Sequence, residues 1–223
     1  MKSNTNIQSN PLLTAGVLAG PFFMLVATIQ KVTRPEFHPL RCQVSHLAFG
    51  DFGWVQAINF FVTGALVLAF AVGLRQVLRP QKLLPTLLGL IGIGFIAATL
   101  FATEPGYGCP SGPLSVPPGV TINGPVHDLA AGFVFISFLV AGLLCGRRAF
   151  QQRQHVFAIY SILSVVAMMG FLTISSLGYA QTPGLLDVSG LFEWLALLSV
   201  FAWITTFAVF LLRGKKLNEA RGK

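Results

Sequence analysis

Four residues in this 223-residue chain pair imidazole with carboxylate: His46 lies just before Asp51, and His127 adjoins Asp128. Imidazole nitrogens and carboxylate oxygens are the usual ligands of zinc and related divalent ions, and a metal-bound water ionises near pH 7. These four come from separate segments, so they lack the tight spacing of a dedicated metal motif. Glu193 adds a carboxylate about one turn inside an apolar run. An ionisable group there is a functional candidate by default, and in a hydrolase it would be the general base; a simple interfacial carboxylate accounts for it equally well. No mid-span histidines suit haem, and neither a glycine-rich phosphate loop nor a serine elbow is present.

The elements that must position these residues are read from hydropathy. The chain is 54% apolar and 10% charged, with a mean hydropathy of +0.72, against about 25% charged residues in soluble domains. A hydrocarbon core of about 30 Å needs roughly 20 apolar residues at 1.5 Å each. Six runs meet that demand, near 11–30, 53–74, 83–102, 126–145, 156–177 and 188–212. The expected fold is all-α, a six-transmembrane-helix bundle forming one domain over 1–223. The first run is too long for a signal-peptide core and is expected to be retained.

The formal charge of +8 raises the question of a nucleic-acid partner, and its distribution answers no. If both termini are cytoplasmic, twelve of the fifteen basic residues lie inside: Lys2, Arg75, Arg79, Lys82, Arg147, Arg148, Arg153, Arg213, Lys215, Lys216, Arg221 and Lys223. Lys31, Arg34 and Arg41 lie outside. This is the positive-inside asymmetry of a multi-pass protein of the cell (inner) membrane. Six of seven acidic residues (Glu36, Asp51, Glu104, Asp128, Asp187 and Glu193) and His38, His46 and His127 then map to the outer half, with Glu219 inside. Part of that clustering is the complement of the charge rule; the remainder points to an outer-face site.

The outer connections carry the unusual composition. Residues 104–128 hold six prolines and five glycines, which forbids a regular helix and forces a loop, with Pro125 suited to the first turn of helix four. Cys42 and Cys109 fall in outer loops one and two, and an oxidising compartment would allow a disulfide between them; two unpaired thiols are the alternative. Cys145 reads as a small buried apolar residue. Trp54, Tyr179 and Trp194 at outer helix ends, and Tyr160 at an inner one, read as interfacial anchors. Gly16–Gly20 and Gly142–Gly146 would let helices approach closely, either within one bundle or at a homo-oligomer seam. Gln56, Asn59 and Thr63 share one face of helix two. That face must turn inward, either to bond between helices or to line an outward polar cavity with Glu193.

Several segments together resemble a known family. They are Ser45–Leu47 running into Gly-Trp-x-Gln at Gly53–Gln56, the Phe-x-x-Glu-Pro turn at Phe101–Pro105, and the histidine that opens helix four in "GPVHDLAAG". With them, residues 12–212 resemble the prokaryotic multi-pass membrane family catalogued as domain of unknown function 998. The resemblance implies a six-helix integral membrane protein and carries no activity. Ser45, Gly53, Trp54, Gln56, Glu104, Pro105 and His127 match it without assigned roles. Glu104 stands where an aspartate is expected, and Cys42 and Cys109 where cysteine is not.

Three readings follow, and they leave open whether the chain is an enzyme. It binds, senses or moves a lipid or small amphiphile through an outward polar site; or it is a metal-dependent hydrolase using a zinc-like ion on His46, Asp51, His127 and Asp128; or it is a structural subunit whose membrane-protein partner reads the outer loops. The topology is directly testable. A membrane-impermeant thiol reagent should label single cysteines placed in residues 104–128 of intact cells and leave one at Gln152 unlabelled; the reverse pattern overturns the orientation.

Overall fold

The computed structural model describes residues 10–78, 80–113, 119 and 121–214. Of the charges used above, Lys2, Arg79, Lys215, Lys216, Glu219, Arg221 and Lys223 lie outside the described residues. Among the described residues six helices are long and apolar enough to cross a membrane, so the chain is a multi-pass membrane protein. They are α1 (Pro11–Thr33), α2 (Gly53–Val77), α3 (Leu83–Leu100), α4 (Asn123–Gln151), α5 (His155–Tyr179) and α6 (Ser189–Leu212). Each packs against its neighbours in sequence, and α6 closes back onto α1, giving a ring. The three long connections share one end of the ring, here called the capped end; the two short turns lie at the other.

The axis of the ring is filled. Phe23, Phe60, Phe95 and Phe201, one each from α1, α2, α3 and α6, pack with centroids 4.7–6.1 Å apart. Below them Phe138, Trp203 and Phe207 continue the column. Aromatic pairs at these separations add to the burial of their area, and they block any continuous polar path. The glycines serve this ring: Gly64 and Gly92 lie so close that a Cβ on either would meet the other's carbonyl at 2.7 and 2.8 Å. Gly16 and Gly20 face Phe70 and Phe201, and Gly142 and Gly146 face Val165 and Ile162, so both small-residue pairs are used inside the bundle.

α4 is longer than its apolar run, at 29 residues or about 43 Å. Its early start at Asn123 has a physical cause. The Glu104 carboxylate, on the preceding loop, accepts from Gly124 N (3.3 Å) and from the Thr121 backbone (3.1 Å) and hydroxyl. An acceptor of negative charge there satisfies N–H groups that a helix start leaves unpaired. Those bonds, the Thr121 hydroxyl first, hold the Glu104 carboxyl below its usual pKa.

The cap itself is loop one. Its 3₁₀ turn, Val44–Ala48, lies over the ring, and its Leu40 and Arg41 carbonyls accept from the first-turn amides of α6: Leu191 N at 2.7 Å and Gly190 N at 3.0 Å. Arg34, buried, donates to the carbonyls of Leu47 (2.7 Å) and Phe49, pairs with Glu36 at 2.8 Å and lies over the Phe37 ring. Cys42 and Cys109 form a disulfide with Cα atoms 5.4 Å apart, tying loop one to loop two. The bond closes a segment of sequence separation 67. In the chain-entropy picture that is worth at most about 4 kcal/mol, and less here because inserted helices already restrict the unfolded chain. Cys42→Ser, Cys109→Ser and the double variant should therefore lower Tm by equal amounts in thermal unfolding. An additive double variant would mean that each sulfur stabilises by packing alone.

Candidate functional site

Three spaces surround the capped half of α4. Inside the ring, under the 3₁₀ turn, is a cavity of about 50 Å³ whose wall includes Ser45, Phe60, Phe95, His127, Val134 and Glu193. One water needs roughly 10–15 Å³ by this measure, so it has room for a few. Toward the capped end, a polar vestibule of about 500 Å³ is bordered by Gln43, Glu104, Asp128, Ser176 and Tyr179. On the lipid-facing side of the α3/α4 seam runs an apolar groove of about 270 Å³, floored by Ile93, Gly94, Ala97, Val126 and Ala130. Gly94 borders both groove and cavity.

The cavity's polar groups are held by backbone. Glu193 Oε2 accepts from Val44 N at 2.5 Å, and Lys31, buried, lies within electrostatic reach while its Nζ donates to the Gly190 carbonyl at 3.2 Å. His127 is buried, and its Nδ1–H donates to the Phe101 carbonyl at 2.9 Å. That bond puts the lone pair on Nε2 in the neutral ring. His127 Nε2, Ser45 Oγ and Glu193 Oε1 have no hydrogen-bond partner among the described residues, and none is sealed off, so each fronts open space.

His46 is fully buried and fully engaged. Its Nδ1 accepts from Gln43 N (3.2 Å), so Nε2 carries the proton and donates toward the Tyr179 hydroxyl (3.0 Å) and the Glu104 carbonyl (3.2 Å). Tyr179 thus joins α5 to the cap rather than serving as an interfacial anchor.

The metal quartet does not assemble. Both nitrogens of His46 are committed, Asp51 sits exposed in the turn before α2, and Asp128 is exposed on the vestibule side of α4 while His127 faces the cavity. Adjacent helical residues diverge by about 100°, so the His127–Asp128 pair cannot close on one ion. Among the described residues, no group of three or more His, Cys, Asp or Glu is placed to hold a metal ion. Of the proposed cavity liners, Glu193 borders the interior cavity. Gln56, Asn59 and Thr63 are fully buried. Gln56 accepts from Gln30 (2.8 Å) and Asn59 (3.2 Å), and Asn59 also donates to the Phe23 carbonyl (3.2 Å), which stitches α1 to α2.

The family described as "Protein of unknown function (DUF998)" matches residues 17–210. The chain belongs to this family. No curated protein and no solved structure matches the chain. The DUF998 match spans all three spaces and every residue that walls the cavity.

Sequence reasoning missed Lys31 and Arg34 as site supports, and left Ser45 without a role. The available signal was charge: both cations stand at the end with fewer basic residues, and each is held by backbone carbonyls.

Burial first, with the His127 and Lys31 charges adding to it, pushes the His46 pKa down to about 4 from the ordinary 6.5. A proton at Nδ1 would also face the Gln43 N–H. Because the folded state binds that proton less tightly than the unfolded chain, stability is complete above about pH 6.5 and falls as pH drops toward about 4. The loss is on the order of 3 kcal/mol. Unfolding at pH 7 and pH 4 should show the stability gap between wild type and His46→Gln shrinking by that amount in acid; an unchanged gap would contradict the neutral, buried imidazole.

Proposed function

We propose that this DUF998 protein binds a membrane amphiphile at the α3/α4 seam, with the apolar chain in the groove and the polar part reaching the cavity of Ser45, His127 and Glu193. The observation that carries this reading is that groove and cavity lie on opposite sides of one seam and share Gly94. The seam is built of small residues, with Gly94, Ala97 and Ala98 on α3 facing Ala130 and Ala131 on α4. The helices approach closely there, since a Cβ on Gly94 would meet the Val134 side chain at 2.5 Å and the Ala130 carbonyl at 3.0 Å, so only a thin wall separates groove from cavity. The cavity, at about 50 Å³, admits a headgroup atom cluster and excludes a whole chain. Hydrocarbon must therefore stay in the groove, where bilayer lipid is already the solvent.

The capped end is assigned to the outside of the cell membrane, with both termini cytoplasmic. The charge asymmetry supports this, and so does the Cys42–Cys109 disulfide, since disulfides persist in oxidising compartments.

Native mass spectrometry of the detergent-purified protein tests the reading. Wild type should retain one amphiphile per chain. Ala97→Trp, which fills the groove from the lipid side, should reduce retention at least about tenfold, because displacing two or three methylenes costs about 0.8 kcal/mol each. Lipid-free wild type, or equal retention in the variant, would refute groove binding.

A further inference from the structure

We propose that Ser45 and His127 form a nucleophile–base pair, and that the cavity cleaves an ester bond of the bound amphiphile. The proposal rests on the amphiphile reading above and adds the chemistry.

The hydroxyl of Ser45 is the first reason. In a buried helical site a serine can spend its hydroxyl on a carbonyl one turn back, as Ser161, Ser164 and Ser199 do here at 2.8–2.9 Å while Ser137 and Ser175 do not. Ser45 is more than nine-tenths buried on a 3₁₀ turn, and its Oγ makes no such bond. It fronts the cavity instead.

The second is the imidazole. A general base needs a lone pair aimed at the reacting proton and a ring fixed in one tautomer. The Phe101 carbonyl supplies the fixing through Nδ1–H, which leaves His127 Nε2 unpartnered on the same cavity wall. Ser45 Oγ and His127 Nε2 do not hydrogen-bond each other in this state; such contacts are often long before substrate arrives.

A third group completes the set. Glu193 binds the Val44 amide, and the next amide along, that of Ser45 itself, has no acceptor among the described residues. The nucleophile's own N–H is a standard donor to the oxyanion in acyl transfer. Glu193 acts here as a positioning residue, fixing the turn that carries Ser45.

The step balances with water as the second reactant. Ser45 Oγ bonds to the ester carbonyl carbon as its proton passes to His127 Nε2, and the oxyanion forms beside the Ser45 N–H. Collapse breaks the ester C–O bond, and the alcohol leaves with the proton from His127. Water from the cavity then attacks the acyl-serine, giving its proton to His127 and freeing a carboxylic acid, and Ser45 recovers its proton. The substrate class is an ester of a long-chain acid, with its chain in the α3/α4 groove.

The test uses the full-length protein in lipid nanodiscs with a long-chain alkyl fluorophosphonate, and adducts located by peptide mass spectrometry. The expected result is one adduct on Ser45, absent in Ser45→Ala and formed at least about a hundredfold more slowly in His127→Gln. Ser45→Ala should keep the Cys42–Cys109 disulfide and unfold at the wild-type temperature, which shows that it is folded. Unlabelled wild type that still retains an amphiphile overturns the nucleophile and leaves the binding reading standing. Loss of both label and amphiphile in wild type overturns both. An adduct on another residue, or undiminished labelling of His127→Gln, overturns the pair.

Discussion

In a helical bundle surrounded by hydrocarbon, each helix start brings backbone N–H groups that water cannot reach freely and that something must bond. At the capped end the partners come from elsewhere in the chain. Leu40 and Arg41 carbonyls take the α6 amides, and the Glu104 carboxylate takes the α4 amide of Gly124. The bonds to α6 decide where loop one lies. Once it is docked, the Val44 amide meets Glu193, the Gln43 amide meets His46, and Cys42 lies 5.4 Å from Cys109 in Cα separation. The cavity is the space left beneath that docked turn, so it exists only as a consequence of how two helix ends are satisfied.

The interior divides by side-chain size. Large rings from α1, α2, α3 and α6 meet on the axis, where four phenylalanines fill the volume that a pore would need. The α3/α4 seam is the contrasting region, lined by Gly94, Ala97, Ala98, Ala130 and Ala131. Close packing makes the first region resistant to opening, because separating the rings would lose many dispersion contacts at once. Small residues lose few contacts when a seam widens. The proposed lateral access from the bilayer would leave the four axial rings in place.

Much of this was legible in the sequence for a simple reason: six spans need only length and hydropathy, and those are local properties. The α3 and α6 limits fall within a few residues of their apolar runs, whereas α4 overshoots because its start is set by Glu104, a residue 19 positions before it. The Cys42–Cys109 pairing was readable because only two cysteines share a side. The metal quartet failed because sequence adjacency of His127 and Asp128 hides a rotation that sends them to different spaces. The polar face of Gln56 and Asn59 was correctly turned inward, but its partner Gln30 on α1 depends on helix rotation that periodicity alone does not fix. Lys31, Arg34 and Arg41 stand at the capped end for a structural reason: they hold the Gly190 carbonyl, the Leu47 and Phe49 carbonyls, and Asp187.

Glu193 is the costliest residue in this arrangement. Holding the Val44 amide requires one oxygen, and a neutral glutamine would supply it without the desolvation that a carboxylate suffers in a low-dielectric interior. Lys31 offsets part of that cost by its charge, yet its Nζ is directed to the Gly190 carbonyl rather than to the carboxylate itself. Glu193 lines the same cavity as Ser45 and His127, and its second oxygen, Ser45 Oγ and His127 Nε2 have no hydrogen-bond partner among the described residues. A packing role explains none of these three unpaired groups. Their place on one cavity with room for a few waters, beside the α3/α4 seam, is what separates this end of the ring from a merely well-capped bundle.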